Sequence, residues 1–286
     1  MSYSIFTDTM ADMTYQEIEQ AAEEKQLVLF PIAVIEEHGP HLCCGTDTYL
    51  AHKFCKDIQK GLLDLGIKSV IAPPYYWGIN VCTNGFAGSF TVRPETMISV
   101  LCDLLGCLKS WGFEKIILFN CHGDLKHNLT IAEAVKKAHE ESGIGAYFMV
   151  SESFLMRSGL SSEPYFIVKF DKSSAEKNKH IPEYVDIHAG GWETSEMIRN
   201  FPELVDMDLV LHHLKSSYTT ADQLKVWAKG GRKAREITPL GYCGNPSEIN
   251  IKSAENTERS MCKEIPEIIC EFLKIPKVIR ASGADR

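Results

Sequence analysis

Residues Leu27 to Asp47 read LVLFPIAVIEEHGPHLCCGTD. The first eight are apolar and β-prone, and a run of that length bounded by polar residues fits a buried strand. The thirteen that follow carry a cluster of two carboxylates and two imidazoles in close order: Glu36, His38, His41 and Asp47 around a Gly-Pro turn. Open α/β sheets keep their ligand sites at the carboxyl ends of strands, where this cluster falls. Carboxylate oxygens and imidazole nitrogens together suit a divalent first-row metal such as Zn, Mn or Fe.

Outward from that stretch, helical and strand patterns alternate. Residues 14–25 (TYQEIEQAAEEK) predict a helix, with Thr14 as N-cap and Glu17 three residues on, a capping-box pattern. Residues 48–65 carry helical spacing, and 69–72 form a short strand stopped by Pro73-Pro74. A Gly/Asn-rich loop fills 77–88. A helix with Pro94 in its first turn fills 94–111. KIILFN (115–120) is a second buried strand, 127–142 a helix and 145–151 a strand. This αβαβ-αβαβ order predicts a mainly parallel sheet covered by helices in one domain over the 286 residues. Residues 152–186 read as irregular, 193–200 as the start of a helix, 202–245 as unassigned, 254–273 as a C-terminal helix and the last dozen as a tail.

Composition narrows the function classes. The net charge of −8 argues against nucleic acid as a partner. No apolar run approaches the roughly 20 residues of a membrane span. The polar, acidic start MSYSIFTDTMADMTYQE has no secretory pattern. The ten cysteines include no C-x-x-C pair, so they read as reduced thiols of a cytoplasmic protein rather than a zinc ribbon.

Three further clusters carry chemistry. Asn120-Cys121-His122-Gly123-Asp124 follows the KIILF strand. His188-Ala-Gly-Gly-Trp-Glu193-Thr-Ser195 opens a predicted helix, and Gly241-Tyr-Cys-Gly-Asn-Pro246 forms a turn. Glu36 and His38, two apart, point to one side of an extended segment. They can hold one metal between them or serve two. Asp47 is a short, doubly oxygenated bridge, and His122 and Asp124 repeat the i, i+2 spacing. Five such ligands fit two ions at roughly 3.5–4 Å. For any one of these residues, a solvated charge or a hydrogen-bonded structural histidine is the alternative. His188 is placed to act as a general acid or base. Glu193 also suits the positive end of a helix. Thr194 and Ser195 read as first-turn hydrogen bonders, and His41, His52, His127 and His139 as structural or surface residues. Cys43, Cys44 and Cys121 read as packing. Trp77 and Trp192 are candidates for stacking on a planar substrate, with core packing as the alternative. No G-x-S-x-G, G-x-G-x-x-G or Walker pattern is present, which argues against a serine nucleophile and a nucleotide cofactor.

Together, Glu36-x-His38-Gly-Pro-His41-Leu with Gly45-Thr-Asp47, Asn120-x-His122-Gly, His188-Ala-Gly-x-x-Glu193-Thr-Ser and Gly241-x-x-Gly-x-Pro246 resemble, in order, the motifs of the creatininase family. The resemblance implies a three-layer αβα sandwich and a two-metal centre that hydrolyses non-peptide C–N bonds, often in a homohexamer. It assigns Glu36, Asp47 and His122 to one ion and His38 and Asp47 to the second. Asp124 stands where creatininase has a glutamate ligand, and Glu193 is the other candidate for that place. His188 becomes the proton shuttle. Two departures fall on the substrate side. Thr83 stands at a position where relatives often carry histidine, and Asp124-Leu125 breaks an N-x-H-G-G-N pattern. The expected activity is hydrolysis of a small-molecule cyclic amide. Formamide hydrolysis or peptide trimming on the same fold is the alternative, and a non-catalytic metal-binding scaffold the reading from another class.

Overall fold

The computed structural model of the chain describes residues 3–169, 185–217 and 219–276. Five parallel strands form one sheet in the order β2-β1-β3-β4-β5: β1 Leu27–Ile32, β2 Ser69–Ile71, β3 Ile116–Asn120, β4 Ala146–Ser151 and β5 Phe166–Lys169. Every residue of β1 is buried. Val28, Phe30 and Ile32 pack with Ile116 and Leu118 on one face, while Leu27 and Leu29 pack with Ile117 and Phe119 on the other. Apolar residues at both parities explain why β1 reads as a continuous run rather than an alternating one.

Helices cover both faces, giving the three-layer αβα sandwich. On the first face lie α1 (Tyr15–Glu23), α3 (Pro94–Ser110) and α4 (Leu125–Glu140). On the second lie α2 (Thr46–Asp64), α6 (Gly191–Asn200) and α10 (Ile265–Phe272), with α9 (Ile251–Arg259) packed on α6. The capping box of α1 forms as expected. The Thr14 side chain accepts from the Glu17 amide at 3.4 Å, and the Glu17 carboxylate accepts from the Thr14 amide at 2.7 Å. A π-helical turn, Ser260–Glu264, joins α9 to α10 ahead of Pro266, whose missing N–H cannot continue an α-helical ladder. Gly61 of α2 meets this turn, where any side chain would strike the Cys262 carbonyl.

Three expectations need correction. Residues 152–186 are not uniformly irregular: α5 spans Glu152–Ser158, and β5 adds an edge strand, while 170–184 fall outside the described residues. The unassigned stretch holds α7 (Ala221–Trp227) and α8 (Gly231–Ile237). Helix α2 starts at Thr46, not Thr48, so Asp47 sits in its first turn, where the helix dipole favours a carboxylate. The expected tail lies largely outside the described residues. No helix among them is long and apolar enough to cross a membrane.

The chain runs from β1 outward to β2, then returns to place β3 on the other side of β1. Such a reversal leaves a crevice at the carboxyl ends of the two strands. Ile32 pairs with Asn120 at that point, so the segments after β1 and β3 emerge side by side.

Candidate metal centre

Short-range hydrogen bonds shape each segment around that crevice. The Glu36 amide donates to the Cys44 carbonyl at 3.0 Å, closing the 36–44 loop on itself. The Thr48 hydroxyl donates to the Val34 carbonyl at 2.9 Å and ties the first turn of α2 to the end of β1. Asn120 builds the second segment. Its carbonyl oxygen accepts from the His122 amide at 3.2 Å, and its amide nitrogen donates to the His122 carbonyl at 2.7 Å. The third segment turns through Ala189, left-handed at φ 48° and fully buried, whose N–H donates to the Glu193 carboxylate. His188 is held in place by an antiparallel bridge to Cys243, which gives the Gly241–Pro246 turn its structural task.

The result is a cage of three imidazoles and three carboxylates, almost entirely shut off from solvent. His122 Nδ1 lies 2.9 Å from Glu36 Oε1 and 3.0 Å from Asp47 Oδ2. His38 Nε2 lies 3.4 Å from Asp47 Oδ1 and 3.8 Å from Glu193 Oε2. His188 Nδ1 lies 3.8 Å from Glu36 Oε1. In each imidazole the other nitrogen faces a backbone carbonyl: Ile79 for His122 (3.1 Å), Glu36 for His38 (3.1 Å) and Glu37 for His188 (2.9 Å). A carbonyl can only accept, so each remote nitrogen is the donor, and in a neutral ring the inner nitrogen carries a lone pair. Three inward lone pairs against carboxylate oxygens repel unless a cation stands between them. Anchoring a histidine through its far N–H is how metal ligands are oriented.

The electrostatics have the same form. Burial disfavours charge throughout the cage. Burial alone would lower His38 and His122; Asp47 with Glu193 and Glu36 with Asp47, respectively, hold them well above their ordinary range. Burial would raise Glu36 and Asp47, but the facing histidines push both down. Glu193 stays raised, because burial outweighs His38 and His188. His38 Nε2 and Asp47 Oδ2 are buried without a hydrogen bond of sound geometry. These orphaned donor-set atoms fit a bound divalent ion. Three sets bring ligand atoms within 4.8 Å of one another: Glu36–Asp47–His122, His38–Asp47–Glu193 and Glu36–His38–His188.

The structure thus brings Glu36, His38, Asp47, His122, His188 and Glu193 together. It places Asp124 differently from the sequence expectation of a ligand. One Asp124 oxygen accepts from the Lys126 and His127 amides as the cap of α4, and the other from the Val81 and Cys82 amides, so backbone donors absorb its charge. Trp77 and Trp192 are 46% and 42% exposed and do not line the cavity above the cage. The aromatic wall is Trp227 of α7, its ring centroid 6.0 Å from that of His188. No cysteine belongs to any of the three ligand sets. His41 meets the Thr194 hydroxyl at 3.1 Å, and Ser195 donates to the Gly191 carbonyl, in keeping with supporting roles.

Sequence reasoning missed two supports. Glu37 backs His188, its Oε1 3.3 Å from Nε2, while its Oε2 accepts from the Gly39 amide at 3.0 Å. A side chain at Gly241 (φ 79°) would run into that carboxylate. Nothing in the spacing distinguishes Glu37 from a solvated neighbour of Glu36. Thr83 does not leave a gap: its hydroxyl donates to Glu36 Oε2 at 2.6 Å. The cavity over the cage is about 780 Å³.

A parallel αβα sandwich with a histidine–carboxylate cage at its switch point defines an α/β protein with a candidate metal centre. The family model described as creatinine amidohydrolase matches residues 11–269, and the chain belongs to this family, the creatininase family of hydrolases. It is 26% identical to creatinine amidohydrolase of Pseudomonas putida over 281 residues, covering 94% of each chain. It is 23% identical to a mycofactocin precursor peptide peptidase of Mycobacterium ulcerans over 231 residues, covering 77% of this chain and 75% of that one. Among solved structures, a zinc–zinc form of a mutant creatininase superposes with a TM-score of 0.64 at 20% identity, covering 94% of this chain and 98% of the other.

Proposed function

We propose that the protein is a dinuclear metal-dependent amidohydrolase that cleaves a non-peptide C–N bond of a small molecule. The observation that carries this reading is the convergence of the inner nitrogens of His38, His122 and His188 on the carboxylates of Glu36, Asp47 and Glu193. Glu36, Asp47 and His122 would hold one ion. His38, Asp47 and Glu193 would hold the other, with Asp47 common to both. Glu193 takes the last place rather than Asp124, because Asp124 is already spent on four amides. Zn, Mn or Fe suits such ligands.

The chemistry that divalent ions supply when bound here is Lewis acidity, which acidifies water and polarises a carbonyl. The chain supplies the rest. His188 keeps its Nε2 proton on the Glu37 carbonyl and presents Nδ1 to the cage, so Nδ1 is the atom that takes a proton from the attacking water. It returns that proton to the leaving nitrogen as the C–N bond breaks, so amide and water become acid and amine. Trp227 and the apolar wall around it exclude solvent from the reacting atoms.

A second reading, trimming of a peptide, is favoured by the volume of the cavity and by the similarity to a peptide peptidase. The same resemblance carries assembly as a homohexamer. An exposed apolar face on and just after α3, with Val100, Leu104 and Trp111, supports an interface there. Cysteines outside any disulfide, such as Cys55 and Cys243, support a reducing, cytoplasmic setting.

Metal analysis of the purified protein is expected to find about two ions per chain. A screen of creatinine, small lactams, hydantoins, formamides and short peptides then identifies the bond. Full hydrolytic activity after exhaustive chelation would falsify the proposal.

A further inference from the structure

Two recesses open on the cage, and their charges differ. The larger, of about 780 Å³, holds every carboxylate that lines either one: Glu36, Asp47, Asp124 and Glu193. The smaller, of about 270 Å³, lies beside it between the ends of β3 and β4. It shares His122, Gly123 and Arg157 with the larger, and no carboxylate of a described residue lines it. Lys169 of β5 lines the smaller recess with Arg157 of α5, and Lys126 lines the larger near the same side. Neither Arg157 nor Lys126 is in an ion pair with a described residue. In a chain of net charge −8, Arg157 and Lys169 thus share a recess that no described carboxylate lines, with Lys169 donating to the Ser260 hydroxyl at 3.2 Å.

We propose that the smaller recess is an oxyanion subsite, which binds a carboxylate or phosphate substituent of the substrate while the scissile amide lies over the cage. The position of the amide rests on the hydrolase reading above; the anion subsite itself does not. Arg157 stands at the junction of the two recesses, and a guanidinium fork fits either oxyanion through two parallel hydrogen bonds. Met149, Val150, Phe154 and Met261 give the wall an apolar part, which strengthens a charge pair relative to open water, and Asn120, Asn128 and Ser151 line the rest. Arg157 also sits in the last turn of α5, where the helix dipole favours a cation. That placement alone accounts neither for Lys169 on the same recess nor for the missing carboxylates. A lactam without an acidic substituent, such as creatinine, leaves Arg157 unpaired and is expected to be a poor substrate.

The test is calorimetric binding of matched pairs to the full-length, metal-loaded protein. The pairs are N-acetyl amino acids of increasing size with their carboxamides, and N-acetyl-O-phosphoethanolamine with its free alcohol. At least one anion is expected to bind on the order of ten-fold tighter than its neutral twin. That preference should weaken with salt, fall to about two-fold in Arg157→Gln, vanish in Arg157→Glu and persist in part in Arg157→Lys. The preferred pair tells carboxylate from phosphate. Neutral twins should bind the variants as they bind the parent, which also reports on folding. No charge preference in any pair overturns the proposal. So does a preference that Arg157→Gln leaves intact or that disappears on metal removal, because direct coordination would then explain it. Absent hydrolysis across the panel with the binding preference intact counts against the amidohydrolase reading and leaves the subsite standing.

Discussion

The floor and the walls of the main cavity are built on opposite terms. The floor (Glu36, Asp47, His122, His188 and Glu193) comes from strand ends and first helical turns, and every side chain in it except Asp47 is held by a group outside the floor. Asn120 aims His122, the Glu37 carbonyl aims His188, and Thr83 holds Glu36. The walls come from α4, α5 and α7 and from the residues around Ile187, with apolar side chains such as Leu129, Leu224 and Trp227 and the cations Lys126 and Arg157. A floor with fixed tautomers and buried charge sets what reaction is possible. Walls of loosely specified apolar surface set which molecule undergoes it. If the division holds, substitutions in the floor change the chemistry or the metal, and substitutions in the walls change substrate binding.

The largest effect is expected at Asp47, which faces both His38 and His122. Asp47→Ala should lose both ions by metal analysis and at least roughly a thousand-fold in kcat/KM. A variant that keeps two ions breaks the bridging role. His188→Asn comes next. It should retain metal and binding but lose about 10²- to 10⁴-fold in kcat, the range for a positioned proton carrier. Loss of one ion instead would move His188 from shuttle to ligand, as the Glu36–His38–His188 set allows. On the wall, Trp227→Leu should raise KM about ten-fold with kcat within a few-fold, since a removed packing surface weakens uniform binding. An equal fall in kcat would mean that Trp227 serves the floor by orienting His188.

The same division explains what was legible in the sequence. The floor residues lie where a strand period or a helix start changes, so their spacing carries a signal. All five, and His38 beside them, stood in the sequence as candidates before the fold was known. The strands β1, β3 and β4 were legible because both parities of each are apolar. Asp124 could not be placed from sequence, because an N-cap aspartate and a metal-ligand aspartate look alike at i+2 from a histidine; its four amide donors show the capping contacts. Trp227 was invisible for a different reason. It lies on a seven-residue helix, too short for a periodic pattern, and reaches the cavity through tertiary packing alone. Trp77 and Trp192 were plausible by residue type, but they sit on the outer surface.

The smallest effect tests the floor from behind. Glu196 lies one turn after Glu193 on α6, 1% exposed, but faces away from the cage towards α2 and α9, with one carboxylate oxygen lacking any partner. Burial raises its pKa from 4.5 to about 7, against the weaker pull of Thr257, Lys53 and Arg199. The folded chain therefore keeps a proton that the unfolded chain releases between pH 4.5 and about 7. Stability from this group is full below the lower value and declines as pH rises through the upper one, by roughly 3 kcal/mol at most. Glu196→Gln keeps the neutral shape at every pH. Relative to the parent it should raise Tm by several degrees at pH 8, about 1–3 kcal/mol, and by almost nothing at pH 4.5. Metal content should not change. A gain of stability at pH 8 with the metals intact would mean that buried charge is tolerated on α6 beyond the cage but required within it. A loss of metal would extend the floor one helical turn further than the ligand sets do.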